Sequence, residues 1–124
     1  MDNKFLATGA VFGGLAVVIG AFGAHALQDL LIKNATLQTF QTGSLYHLTH
    51  SIILCFTAYL FGTDRHKWLK WANFSFIAGI IFFSGALYVL SITGIKKMGA
   101  IAPIGGIFLI IGWICLLLYA QRKN

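Results

Sequence analysis

Four long apolar stretches, separated by short charged breaks, constrain this chain more than any other feature. They run approximately from residue 5 to 27, 43 to 61, 71 to 92 and 99 to 120. Each is close to the ~20 residues that a helix needs to cross the hydrocarbon core of a bilayer. In hydrocarbon a single helix satisfies all its backbone groups within its own segment, so apolar runs of this length resolve as helices. Charged residues make up 10% of the chain and the mean hydropathy is +0.82. A soluble domain carries about 25% charged residues, so this chain has too little polar surface to coat a water-soluble globule. The expected fold is all-α: a polytopic membrane protein, a four-transmembrane-helix bundle forming one domain over residues 1–124.

The breaks set the connections. The first run follows Lys4 and ends on Ala24-His25-Ala26, which imitates a signal-peptide cleavage site. Its apolar stretch is longer than the usual 7–15 residues of a signal sequence, so it is expected to be retained as a span. Along it, Gly9, Gly13, Ala16, Gly20 and Ala24 form a stripe of small residues where another backbone can come close. Residues 28–42 read as an interfacial loop with a short amphipathic piece, since Asp29 and Lys33 alternate with Leu30, Leu31, Leu37 and Phe40. Asn34-Ala35-Thr36 matches a glycosylation sequon, a triplet common by chance. The turn over 62–70 carries Asp64, Arg65, His66, Lys67 and Lys70, and Trp68 and Trp71 mark a headgroup boundary there. His66, among these bases, is expected to be solvated. Lys96 and Lys97 sit in a tight turn before the fourth run, and Pro103 falls in that run's first turn, where a missing N–H costs little. Gly105, Gly106 and Gly112 make a second small-residue stripe.

Nine Lys+Arg stand against three acidic residues. The bases lie between apolar runs, which points to membrane topology and anionic headgroups and not to nucleic acid. Lys4, Arg65, Lys67, Lys70, Arg122 and Lys123 share one side of the membrane; Lys33, Lys96 and Lys97 share the other. The positive-inside bias then places both termini in the cytoplasm, with the protein in the cell (inner) membrane. Its expected partners are membrane lipid and either further copies of itself or a larger membrane protein. Cys55 and Cys115 lie inside apolar runs and read as small buried hydrophobes.

With this topology, polar groups from separate runs fall at one depth, at the outer ends of the helices. They are His25, Tyr46, His47, His50, Ser84 and Tyr88, joined by the irregular start of the fourth run at Pro103. Intramembrane ionisable residues are costly and face the bundle interior. Tyr46 and His50, and Ser84 and Tyr88, are each i, i+4 neighbours, and His47 and His50 are i, i+3. Several chemistries fit such a layer. Neutral imidazoles of His25, His47 and His50 suit zinc or copper. Two histidines from adjacent helices can ligate a haem. A lipid or quinone could hydrogen-bond to His and Tyr in an outer-leaflet pocket. Alternatively the groups satisfy one another and pin the helices together. No nucleophile stands beside a base with an orienting acid, so enzymatic activity has no support beyond serines such as Ser44, Ser51 and Ser84 near histidines. No cofactor is required by the sequence.

The ordered motifs Gly20-Ala21-Phe22-Gly23-Ala24-His25, Tyr46 with His50, Phe83-Ser84-Gly85-Ala86-Leu87-Tyr88, and Pro103-Ile104-Gly105-Gly106 with Gly112-Trp113 span nearly the whole chain. In these the chain resembles the YwdK/YgdD-like small inner-membrane proteins, a family built around a domain of unknown function (domain of unknown function 423). Ala26 follows His25 where the family often has Gly, and Ala102 stands where Thr commonly precedes Pro-Ile-Gly-Gly, which removes a hydroxyl from the polar layer. The resemblance implies a four-span fold and a membrane location, and no activity.

Overall fold

A computed structural model describes residues 3–123. Helix α1 spans Lys4–Ala24, α2 Gln28–Lys33, α3 Leu37–Thr63 and α4 Lys67–Gly79. A π-helical turn, Ile80–Ser84, joins α4 to α5, Gly85–Thr93; a 3₁₀ turn, Lys96–Ala100, leads into α6, Ala102–Ala120. Four segments are long and apolar enough to cross a membrane: Lys4–Ala24, Leu37–Thr63, Lys67–Thr93 and Lys96–Ala120. The chain is thus an all-α, four-span membrane protein.

The second span differs from the sequence reading in a way that matters later. Its helix begins at Leu37, not Gly43. Gln38, Thr39, Gln41 and Thr42 read as a break, but a helix bonds its own backbone and can carry polar side chains where it emerges from hydrocarbon. At 1.5 Å per residue, α3 is about 40 Å long, against a core of ~30 Å. Its first turns are tied down by Phe40, which is buried against Gly23 of α1. Of the proposed loop 28–42, only residues 34–36 remain non-helical between α2 and α3. Asn34 Nδ2 donates to the Ser91 and Ile92 carbonyls (3.1 and 3.2 Å), and Thr36 Oγ1 donates to the Ser91 carbonyl (2.7 Å), so this corner is anchored to the end of α5.

Packing follows small residues. Gly9 of α1 lies against Cys55, Gly13 against Ser51, Gly20 against Ser44 and Gly23 against Phe40. The seam on α1 is therefore 9, 13, 16, 20, 23, a 4-3-4-3 spacing, and α3 answers with 55, 51, 47, 44, 40. This is the 3.5-residue repeat of left-handed helix pairs, read antiparallel. It corrects the last member of the small-residue stripe: Gly23 is buried and Ala24 is exposed, because steps of four alone drift off the contact line. α1 makes its extended contact with α3 alone, and α6 packs on α4 and the π turn. The apolar core lies between α3, α4 and α6, where Leu54, Ala72, Phe76, Ile80, Leu109 and Cys115 cluster. Gly79 admits Leu109, and Gly112 admits Phe76. At Gly105, α6 meets the backbone of the π turn directly: a Cβ there would stand 2.5 Å from the Phe82 carbonyl carbon and 2.6 Å from Phe83 Cα.

Candidate functional site

Because α3 starts at Leu37, His47 and His50 lie about 15 and 20 Å along a 40 Å helix, toward its middle and not at its first turns. Both are buried, at 5% and 6% exposure. In the register set by the α1 glycines, the buried Ala16 falls at the level of His47.

His50 is held from two sides. Its Nδ1–H donates to the Tyr46 carbonyl (2.9 Å), and its Nε2 accepts from the Trp113 indole N–H (3.1 Å). An indole nitrogen only donates, so Nε2 must carry its lone pair and the ring is the neutral Nδ1–H tautomer. Trp113 meets His50 and Phe76 edge-on, with centroids 6.0 and 5.7 Å away. His47 Nδ1 is 2.8 Å from the Tyr88 hydroxyl, and Phe12 of α1 lies edge-on to the His47 ring at 6.3 Å. Ser51 Oγ donates to the His47 carbonyl, and Ser84 Oγ crosses from the end of the π turn to the Gly43 carbonyl, each at 2.7 Å. Toward the 62–70 turn, Thr57 Oγ1 is 2.6 Å from Asn73 Oδ1, and the buried Asn73 Nδ2 has no partner among the described residues.

The structure therefore brings His47, His50, Ser84 and Tyr88 into one intramembrane polar core. Tyr46 stacks on His50 (centroids 5.7 Å apart, planes 12° apart), but it serves His50 through its carbonyl, and the residue is 41% exposed. Pro103 is exposed at the start of α6 and stands outside the core. His25 stands outside it too. It caps α1 and is exposed. Since Gly23 faces Phe40, residue 25 falls opposite residue 38, roughly 18 Å along α3 from His50. The sequence reading brought the two together by starting the second helix six residues late. This separation removes the basis for His25, His47 and His50 as one metal site, or for a haem between His25 and His50. No group of three or more His, Cys, Asp or Glu among the described residues could hold a metal ion.

Several participants were missed. Trp113 sits in the middle of the fourth run, far from the headgroups where Trp usually lies, so its N–H needs an internal partner. That depth was the available signal. Asn73 is an amide inside an apolar run and carried the same signal. Gly43 enters through its carbonyl and left none. His66 is not simply solvated: it caps α4 by accepting from Trp68 N–H (3.2 Å) and packs edge-on to Tyr119, 5.6 Å away. Beside it, Asp64 Oδ2 accepts from the Tyr119 hydroxyl and from Arg122, both at 3.1 Å, closing the end of α6 onto the end of α3.

A groove between α1 and the π turn opens beside the core. It has about 250 Å³ of free volume, with Phe12, Leu15, Ile19 and Ile81 as walls and His47 and Tyr88 at the polar side.

A family model described as a protein of unknown function (DUF423) matches residues 19–106. The chain belongs to the DUF423 family. A UPF0382 membrane protein of Staphylococcus aureus (strain bovine RF122 / ET3-1) is 42% identical over 114 residues, covering 92% of each chain. The UPF0382 membrane protein YwdK of Bacillus subtilis is 41% identical over 121 residues, covering 95% of this chain and 96% of its own. A UPF0382 membrane protein of Staphylococcus epidermidis is 38% identical over 114 residues, covering 92% of each. No solved structure matches. The chain is an integral membrane protein of this family, and these relatives are each named as membrane proteins.

Proposed function

We propose that this protein is a structural or accessory component of the cell membrane, with both termini cytoplasmic, that packs against lipid and against further copies of itself or a larger membrane protein. One observation carries the reading: the polar side chains of the core bond one another or backbone carbonyls within the fold. His50 uses both ring nitrogens within the fold, and Ser84 and Ser51 each take a backbone carbonyl. The bonds from Trp113 to His50, between Tyr88 and His47 and from Ser84 to the Gly43 carbonyl pin helices together where hydrocarbon offers no alternative partner. The outer faces of α1 and α6, with Val11, Val18, Ile104, Ile107, Ile111 and Ile114 exposed, suit lipid or a second helix.

Absorption spectra, metal analysis and native mass spectrometry of the detergent-purified protein test this. The expected result is an oligomer or a stoichiometric protein partner, with no haem or metal that depends on His47 or His50. A Soret band lost on His50→Ala, or one equivalent of metal lost on His47→Ala, would overturn it. For the orientation, cysteines introduced in the 62–70 turn should be inaccessible to impermeant reagents in intact cells; labelling there would reverse the topology.

The groove supports a second reading. His47 and Tyr88 line a lipid-facing groove of about 250 Å³, where a quinone or lipid carbonyl could accept a hydrogen bond. A bound molecule lost on Tyr88→Phe, with the fold intact, would favour it over the accessory role.

A further inference from the structure

At the end of the molecule that carries Lys4 and the 62–70 turn, α1 and α4 stand apart and leave a notch of about 400 Å³. Its floor is aromatic: Phe5 packs edge-on against Phe61 (5.6 Å) and Phe74 (5.0 Å). Its rim carries Lys4 and Arg65. Arg65 is poised over the Phe61 ring, with its guanidinium carbon 4.8 Å from the centroid. The other polar groups at the rim are already committed. Asn3 Nδ2 donates to the Ala58 carbonyl and Thr8 Oγ1 to the Lys4 carbonyl, both at 2.9 Å. Asp64, next in sequence to Arg65, gives its Oδ2 to Tyr119 and Arg122. Among the described residues neither Lys4 nor Arg65 has a carboxylate partner. Two cations above an apolar slot, at the level where two spans begin and end, call for an anion with a greasy tail.

Farther along the same face of α1 lies the second groove, where Phe12, Leu15 and Ile19 stand with Ile80 and Ile81. The fourteen residue steps of α1 from Phe5 to Ile19 cover roughly 21 Å, more than the ~15 Å depth of one leaflet. The crevice exists because α1 makes its extended contact with α3 and not with α4. We propose that this crevice is a binding site for an anionic phospholipid, its phosphate held by Lys4 and Arg65 and one acyl chain lying between α1 and α4. The proposal rests on the lipid-packing part of the function above and needs no protein partner.

The experiment uses the full-length purified protein in neutral detergent, titrated with phosphatidylglycerol or phosphatidylcholine of identical chains and read by native mass spectrometry. One phosphatidylglycerol should be retained in preference to phosphatidylcholine. A basic residue at a membrane surface contributes about a fivefold effect, so Lys4→Gln/Arg65→Gln should weaken phosphatidylglycerol binding roughly 30-fold. The control Lys96→Gln/Lys97→Gln removes the same charge at the other end and should leave binding within about twofold. Ile77→Trp, which fills the slot while keeping both cations, should also weaken it. Equal loss in the two charge variants would overturn the site, as would equal retention of both lipids. Competition by millimolar inorganic phosphate alone would reassign the site to a free anion and overturn the lipid. Failure to find an oligomer or a partner, with lipid retention intact, would count against the accessory role and leave this site standing.

Discussion

Gly105→Ala tests the packing logic most sharply. The added Cβ would meet the Phe82 carbonyl carbon at 2.5 Å and Phe83 Cα at 2.6 Å. Both are backbone atoms of the π turn, so no side-chain rotation can relieve the clash. Ordinary carbon contacts begin near 3.5 Å, so α6 must retreat by about 1 Å. That retreat loosens Leu109 over Gly79 and Phe76 over Gly112, and it stretches the 3.1 Å Trp113–His50 hydrogen bond. Overpacking of this kind costs about 1–3 kcal/mol, and the weakened bond adds about 0.5–1.5 kcal/mol. Alanine's better helix propensity returns up to about 1 kcal/mol. With the full return the expected net loss is about 0.5–3.5 kcal/mol, read from reversible unfolding in mixed micelles. Gly106→Ala is the matched control, because its Cβ would find only Phe83 Cδ2, at 3.8 Å. It should be neutral or slightly stabilising. If Gly105→Ala unfolds at the same point as Gly106→Ala, the close backbone approach is not what holds α6 to the π turn, and the reasoning fails.

Three further outcomes concern the buried polar groups and the α1–α3 seam. Trp113→Phe keeps the aromatic contact with Phe76 but leaves His50 Nε2 without its donor; a destabilisation of about 1–3 kcal/mol is expected, and a double-mutant cycle with His50→Phe should recover most of it. Asn73→Leu removes a fully buried amide whose Nδ2 has no partner among the described residues; thermal unfolding should show a variant at least as stable as the parent, and a loss of more than about 2 kcal/mol would reveal a partner for that amide. Gly23→Leu would force a side chain into the Phe40 ring and break the α1–α3 seam; disulfide cross-linking between cysteines placed at Gly13 and Ser51 should fall sharply, while the same cross-link should survive Gly14→Leu, where nothing lies within 4 Å.

Apolar run length and charge placement by themselves determined that this chain is an all-α protein of four membrane spans. Hydrophobicity is a property of composition, and hydrocarbon leaves a lone segment no choice but a helix. The small-residue stripes were legible for a similar reason, since a glycine marks close approach whatever approaches it, although the 4-3 alternation that ends on Gly23 needed the partner helix. The ionisable members of the polar core, His47 and His50, were visible as anomalies in an apolar run. Only the tertiary structure decided their company. It moved the start of α3 to Leu37, where Phe40 seats against Gly23, and so carried both histidines toward the middle of the helix and left His25 behind. It supplied Trp113, Gly43 and Asn73, whose roles depend on depth and on which backbone faces them. A hydrogen bond is made by two groups at about 3 Å, and residues such as His50 and Trp113, 63 positions apart, acquire that distance only when the helices between them have packed.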